Sequence, residues 1–274
     1  IGSKNQQDPR NTELHEYHRC VTIIKPRYIL FENVAGFMRL YEGTSYKTLM
    51  HELNKLGYAC HTAILEASNY GLPQKRQRTI IVGWKKNLHP IPFPSHTHTI
   101  QPSLLEQNSK LTLWEAISDL PSIGHHDAAH HYLTPPQNFY QQSMRQDCHV
   151  LTEHNSTNYG EKMQQILALV PQGGSVEDLP LNLRPKSYFK NTYARLLPNE
   201  CSPTITRNFG TPSSSRCIHP FQNRALSTRE GARLQGFPDN YIFYGGKGSK
   251  NLQIGNAVPP LFGKIIAQEI LSHA

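Results

Sequence analysis

Three groups of side chains in the 274-residue sequence have the type and spacing to do chemistry. Phe31-Glu-Asn-Val34 sets a carboxylate, Glu32, directly after the apolar run Tyr28-Ile-Leu-Phe31. Ligands of open α/β sheets bind beyond the carboxyl ends of the strands, so Glu32 is a candidate site acid; the alternative is a helix-capping or loop acid. Gln74-Lys-Arg-Gln-Arg78 places two guanidinium groups two residues apart, on one side of an extended chain, where Arg76 and Arg78 could bind an anion or a carbonyl. As a lone basic pentapeptide it reads alternatively as a solvated edge. Gln253-Ile-Gly-Asn-Ala-Val-Pro-Pro260 reads as a tight turn opening a helix whose N-terminus could hold a polar ligand. The histidines and acid of His125-His-Asp127 and His130-His131 are metal-ligand types, but they sit in a polar stretch with no cysteine nearby. An exposed loop is the preferred reading there, and no metal is expected.

These residues must be positioned by regular elements. Leu14, Tyr17, Val21 and Ile24 recur at helical spacing between Asn11 and Lys25, and Pro26 stops the run. A short buried strand follows at residues 28–31, then a helix to Leu56 with Thr44 as its N-cap. Strands are expected from Tyr58 to Leu65 and from Thr79 to Trp84. Residues 11–84 therefore alternate helix and strand, the α/β pattern. It breaks at His89-Pro-Ile-Pro-Phe-Pro94, and the next hundred or so residues hold two clear helical stretches, Leu113 to Leu120 and Glu161 to Val170. Ser202-Pro-Thr-Ile-Thr-Arg207 reads as a short strand, Ser227-Thr-Arg-Glu230 as a capping box, and Pro260 to Leu271 as an apolar helix.

Composition limits the partners. A hydrophobic content of 37% and mean hydropathy of −0.54 fit a soluble protein, and no run approaches the roughly 20 apolar residues of a membrane helix. Five cysteines without a CxxC pair predict a reducing, intracellular setting. The net charge of +8 favours a polyanionic partner, and its distribution is blocked. Residues 183–225 carry Arg184, Lys186, Lys190, Arg195, Arg207, Arg216 and Arg224 against Glu200, a net +6, whereas residues 101–183 carry three bases against nine acids, a net −6. The basic block is expected to face DNA phosphates through Arg184, Lys186, Lys190, Arg195, Arg207 and Arg216; a solvated face is the alternative.

Taken in order, Phe-Glu-Asn-Val, Gln-x-Arg-x-Arg, a long variable insert, Pro-Thr-Ile-Thr, Arg233-Leu-Gln-Gly-Phe-Pro-Asp239 and Gly-Asn-Ala-Val-Pro-Pro resemble the C5-cytosine DNA methyltransferase family. Asp8-Pro-Arg-Asn11 is also similar to the stretch that follows that family's catalytic loop. The resemblance implies an α/β fold, the C-terminal portion of a Rossmann-like methyltransferase domain with an inserted, irregular target-recognition domain. Residues 1–100 would be the remainder of the catalytic domain, 101–225 the target-recognition domain and 226–274 the return to the catalytic domain. It also implies S-adenosylmethionine as methyl donor and double-stranded DNA as substrate, with the target cytosine flipped from the helix. In that chemistry a thiolate adds to C6 of cytosine, and the resulting enamine takes the methyl group at C5. Glu32 would hold N3 and the exocyclic amine, Arg78 the O2 carbonyl, and Arg76 would buttress them. Asn256, Ala257 and Val258 would contact the cofactor or support its pocket.

The family's Gly-rich cofactor loop and its Pro-Cys nucleophile do not occur in this sequence; the five cysteines follow Arg19, Ala59, Asp147, Glu200 and Arg216. The chain begins at Ile1 rather than methionine, which predicts an upstream segment or partner subunit carrying both. These residues alone are expected to be inactive; a catalytically dead DNA-binding or regulatory relative is the alternative. Location would be cytoplasmic and nucleoid-associated in a bacterium, nuclear in a eukaryote.

Overall fold

The computed structural model describes residues 12–100, 108–214 and 216–273; the Asp8–Asn11 stretch lies outside them. The fold is α/β and its contacts divide into two compact units. One comprises residues 1–66, 77–95 and 264–274, the other 67–76 and 96–263.

In the first unit the expected elements form with small shifts: helix α1 (Thr12–Ile24), strand β1 (Tyr28–Val34), helix α2 (Thr44–Lys55) and strand β2 (Tyr58–Glu66). A two-residue strand, β3 (Gln74–Lys75), belongs to the other unit, and strand β4 (Gln77–Lys85) returns to this one. The sheet order is β1-β4-β2, with β4 antiparallel to both neighbours. A central strand is covered on both faces and paired on both edges, which is why Thr79-Ile-Ile-Val-Gly-Trp84 is a continuous buried run rather than an alternating one. One face packs Ile29 and Ile81 against Val21, Leu49 and Leu53 of the two helices, with Phe31 and Cys60 at the margin.

Two local expectations are corrected. Thr44 is not the N-cap of α2: Gly43 holds that place at φ +81, after Tyr41 and Glu42 at φ 51 and 59. Three successive left-handed residues turn the chain sharply, and only glycine accepts that conformation without cost. Glu32 does not follow its strand but lies inside β1, opposite Ile80.

The second unit is sparsely helical but has one extensive core. The stretch from His98 to Arg207 contributes β5 (His98–Thr99), β6 (Asn108–Ser109), α3 (Leu113–Ile117), α4 (Phe139–Met144), α5 (Glu161–Leu169) and β7 (Ser202–Pro203). Helices α6 (Thr228–Leu234) and α7 (Lys247–Asn256) follow, and of α8 (Pro260–Ser272) only residues 260–263 belong to this unit, the rest to the first. Leu113, Ile117, Leu151, Leu167, Phe209, Leu234, Phe237 and Ile254 share a single apolar cluster. Packing thus groups residues 226–263 with the insert, so the compact units do not coincide with a functional division at residue 225. The capping box forms as expected: Ser227 Oγ accepts from the Glu230 amide at 3.1 Å and the Glu230 carboxylate accepts from the Ser227 amide at 2.7 Å. Gln253-Ile-Gly-Asn256, expected as a turn, is instead the last turn of α7, and only residues 257–259 separate it from α8.

Candidate active site

Side chains on one face of the first unit's sheet build a carboxylate–guanidinium pair. Val34 stands opposite Arg78 and Glu32 opposite Ile80, so Glu32 and Arg78 are diagonal neighbours on the same face. Arg78 Nε donates to Glu32 Oε1 at 2.7 Å, with the two side chains 13% and 28% exposed. Arg78 Nη1 donates to the Gln77 carbonyl at 2.8 Å. Burial lowers the Arg78 pKa from its ordinary value, opposed by the charge and hydrogen bond of Glu32. Among the described residues Glu32 Oε2 and Arg78 Nη2 have no partner, so the pair offers an acceptor and a donor side by side to a planar polar ligand.

Arg76 behaves differently. It belongs to the second unit, is 1% exposed, and donates to the carbonyls of Ile205 at 3.1 Å, Gly255 at 3.0 Å and Ala257 at 2.9 Å. It is a buried tie, so the reading of Arg76 and Arg78 as two cations jointly gripping an anion is set aside. Gln74 acts beside it, donating to the Leu234 carbonyl at 3.0 Å and Gln235 Oε1 at 2.6 Å and accepting from the Ile205 amide at 2.8 Å. Gln235 in turn donates to the carbonyls of Ile254 and Ala257, each at 2.9 Å. One buried polar network therefore joins Gln-x-Arg, Pro-Thr-Ile-Thr, Leu-Gln-Gly and Gly-Asn-Ala-Val. A buried hydrogen-bonded network of this kind favours one backbone arrangement.

Gly255 is part of that junction. A Cβ there would lie 2.3 Å from the Arg207 amide nitrogen and 2.5 Å from the Thr206 carbonyl carbon, backbone atoms that cannot rotate away. Gly255→Ala should cost about 3 kcal/mol, the upper end for overpacking. Gly248→Ala, in the same helix with nothing within 4 Å of its Cβ, should be neutral or stabilising. Urea unfolding of the two variants checks this; equal midpoints would mean that the segments do not meet at Gly255.

The three candidate cofactor residues lie together at the α7–α8 junction. Asn256 is exposed, Val258 is 37% exposed, and Ala257 holds its carbonyl toward Arg76 and Gln235. The basic block is less uniform than its sequence suggests. Lys186, Lys190, Arg207 and Arg216 are exposed. Arg184 is partly buried and ties back to the carbonyls of Leu179 and Glu177 at 2.8 and 2.6 Å. Arg195 is a correction: it is 6% exposed and its guanidinium donates to Val170, His219 and Gln222 carbonyls at 2.7, 2.9 and 3.0 Å, to Leu167 O, and to Asn223 Oδ1. With those donors spent internally it is a core clamp and not a phosphate contact. Missed in the sequence were Tyr188 and Phe189, 40% and 82% exposed between Lys186 and Lys190; the signal was an aromatic pair interleaved with lysines.

Two of the cysteines sit in the opposite of a nucleophile's environment: burial pushes the Cys60 thiol up to about 11 and raises that of Cys217. Histidines 154 and 219 are also buried, the latter pushed down to about 4 by desolvation, and His154 bonds Ser227 Oγ and the Pro121 carbonyl at 2.9 and 2.8 Å. They brace the core.

The family model for C-5 cytosine-specific DNA methylases matches residues 1–272. The type II methyltransferase M.DdeI of Desulfomicrobium norvegicum is 32% identical over 98% of this chain and 68% of its own length. M1.HphI of Haemophilus parahaemolyticus is 31% identical over 99% and 63%. The chain thus spans about two thirds of the length of these curated relatives. A prophage-encoded E. coli protein described as a DNA modification methyltransferase superposes with a TM-score of 0.74 at 22% identity, covering 97% of this chain and 75% of that one. It shares the fold. Among the described residues, no helix is long and apolar enough to cross a membrane.

Proposed function

Because the chain belongs to the C-5 cytosine-specific DNA methylase family, we propose that it is the C-terminal part of a DNA (cytosine-5)-methyltransferase in which Glu32 and Arg78 hold a cytosine flipped from duplex DNA. The observation that carries this reading is the Glu32–Arg78 pair, 2.7 Å apart, with an acceptor and a donor left open on one sheet face. The Watson–Crick edge of a cytosine protonated at N3 presents two donors and one acceptor in a row. A carboxylate takes the donors and a guanidinium the acceptor, and the carboxylate becomes more valuable as positive charge builds on the ring. Arg76 fixes Ile205, Gly255 and Ala257, the backbone around the candidate cofactor residues.

S-adenosylmethionine, the donor expected for this family, supplies the methyl group when bound. Exposed Asn256 and half-open Val258 fit one polar and one apolar contact to such a ligand, while Ala257 holds the loop in place. The rest of that pocket would come from a Gly-rich loop that this sequence does not contain. The division of roles follows chain order: 1–100 and 226–274 serve catalysis, and 101–225 reads the target. In that region the exposed Lys186, Lys190, Arg207 and Arg216 meet backbone phosphates, while Tyr188 and Phe189 are free to stack on or wedge between bases.

A methyl-transfer assay with and without a segment carrying the Pro-Cys loop tests the whole reading. The 274 residues alone should give no labelled DNA, and activity should appear when the segment is supplied. Robust methylation by the purified chain would sink the reading as an incomplete enzyme. Inactivity of the complemented protein, with DNA binding intact, would identify a catalytically dead DNA-binding relative instead.

A further inference from the structure

We propose that a cleft in the second unit, walled by Lys75, Asn191, Thr204, Thr206, Ser214 and Arg216, seats one backbone phosphate of duplex DNA, which displaces Glu200 from Lys75 as it binds. The proposal rests on the DNA-substrate reading above and extends it to Lys75, which lies outside the basic block, and to the Glu200 carboxylate that pairs with it.

The cleft is built by pairings distant in sequence. Parallel strands β3 and β7 set Lys75 opposite Pro203, and Thr204 Oγ1 donates to the Lys75 carbonyl at 2.8 Å. A bridge between Arg195 and Ile218 lays the segment carrying Arg216 along the same wall, and the Tyr193 amide bonds the Pro212 carbonyl at 3.0 Å, bringing Asn191 toward Ser214. The resulting volume is about 310 Å³, with an adjoining lobe of about 190 Å³ that shares Lys75, Pro203 and Arg216.

The lining chemistry selects the ligand class. Two cations, three hydroxyls and an amide line the main cleft, and no carboxylate does, so it favours an anion over a metal ion. No aromatic side chain lines it, so there is no platform for a base. A phosphodiester fits because its two non-bridging oxygens take charged and hydroxyl donors together. Arg216 makes no hydrogen bond or ion pair among the described residues, and is available. Lys75 is held at 2.9 Å by Glu200, whose side chain, like that of Lys75, is 54% exposed. Glu200 belongs to the adjoining lobe, where it neutralises Lys75 until a stronger anion arrives.

The test is anisotropy of a labelled duplex titrated with the full chain over a range of salt. Lys75→Gln and Arg216→Gln should each lower the slope of log affinity against log salt by about 0.9, one phosphate contact apiece. Glu200→Gln should bind about two- to fivefold tighter, the fold-change of an exposed ion pair released. That gain should vanish in the Lys75→Gln background. A gain of affinity cannot come from a folding defect, so it keeps the test decisive even where Lys75→Gln lowers stability. Unchanged slopes in both cation variants, or no gain from Glu200→Gln, would overturn the phosphate seat while leaving DNA binding intact. A parent chain that binds no duplex at any salt would remove the DNA-substrate reading together with it.

Discussion

Glu32→Gln in the complemented enzyme should slow single-turnover methyl transfer by about a hundred- to a thousandfold, the usual loss for one preorganised group that stabilises developing charge. Duplex affinity should not change, because the substitution leaves the exposed basic residues untouched. The amide is nearly isosteric and still accepts from Arg78 through its carbonyl oxygen, so geometry is preserved while the charge is lost. Its NH2 group, however, cannot accept from an amine or a protonated ring nitrogen, and a donor would then face a donor. The strand supplies the rigidity: Glu32 sits at an interior position of β1, paired with Ile80 of the buried β4. The competing view, in which the Glu32–Arg78 pair only stabilises the sheet, makes a different prediction. A partly exposed pair contributes about 0 to 1 kcal/mol, so that view expects a small fall in melting temperature and near-parental turnover. Rate, affinity and melting temperature measured on the same samples separate the two, and a Glu32→Gln enzyme with undiminished turnover would make the pair structural.

What the sequence disclosed here was mostly local. Apolar spacing marked α1 and α5, continuous β-branched runs marked β4, and Ser227 and Glu230 announced the start of α6. Each signal lies within a few residues of the element it specifies. Insertion of β4 between β1 and β2 was not legible, because strand order is decided by pairings that no single segment encodes. The same limit hid the fates of the arginines. Arg195 and Arg224 read as members of a basic block, yet the first binds carbonyls from 167 to 222 and the second pairs with Glu230 at 2.6 Å. In sequence a buried arginine and a phosphate-facing one look alike; what separates them is the set of acceptors the fold brings within reach. Glu32 and Arg78 were recognised by their motifs, but the face they share follows from a register set across 46 residues of chain.

Arg233 shows what such a hidden role implies for stability. It is fully buried, and all five of its donors are used: Nε and Nη2 on Asp239 at 2.8 and 2.6 Å, Nη1 and Nη2 on Asp119 at 2.6 and 3.2 Å, and Nη1 on the Ala116 carbonyl at 3.0 Å. Burial by itself penalises its charge, but the hydrogen bonds and charge of Asp239, then Asp119, hold its pKa above the ordinary guanidinium value. Tyr132 and Arg145 extend the cluster, donating to Asp239 at 2.5 Å and to Asp119 at 3.3 Å. Arg233→Met should therefore destabilise the protein by about 3–5 kcal/mol, because it leaves two buried carboxylates with only the outlying Arg145 and Arg229 guanidiniums, 3.3 and 3.9 Å away, to compensate them. In a chain of this size that corresponds to a fall of roughly 6–20 °C in melting temperature. Arg233→Lys keeps the charge but cannot fork between two carboxylates, so it should fall between the two. Adding Asp119→Asn and Asp239→Asn to Arg233→Met removes the stranded charges and should recover part of the loss, whereas a cost due only to missing packing would not be recovered. Calorimetry of the single and triple variants decides it: a triple variant no more stable than Arg233→Met would mean that shape, and not charge neutralisation, is what Arg233 supplies.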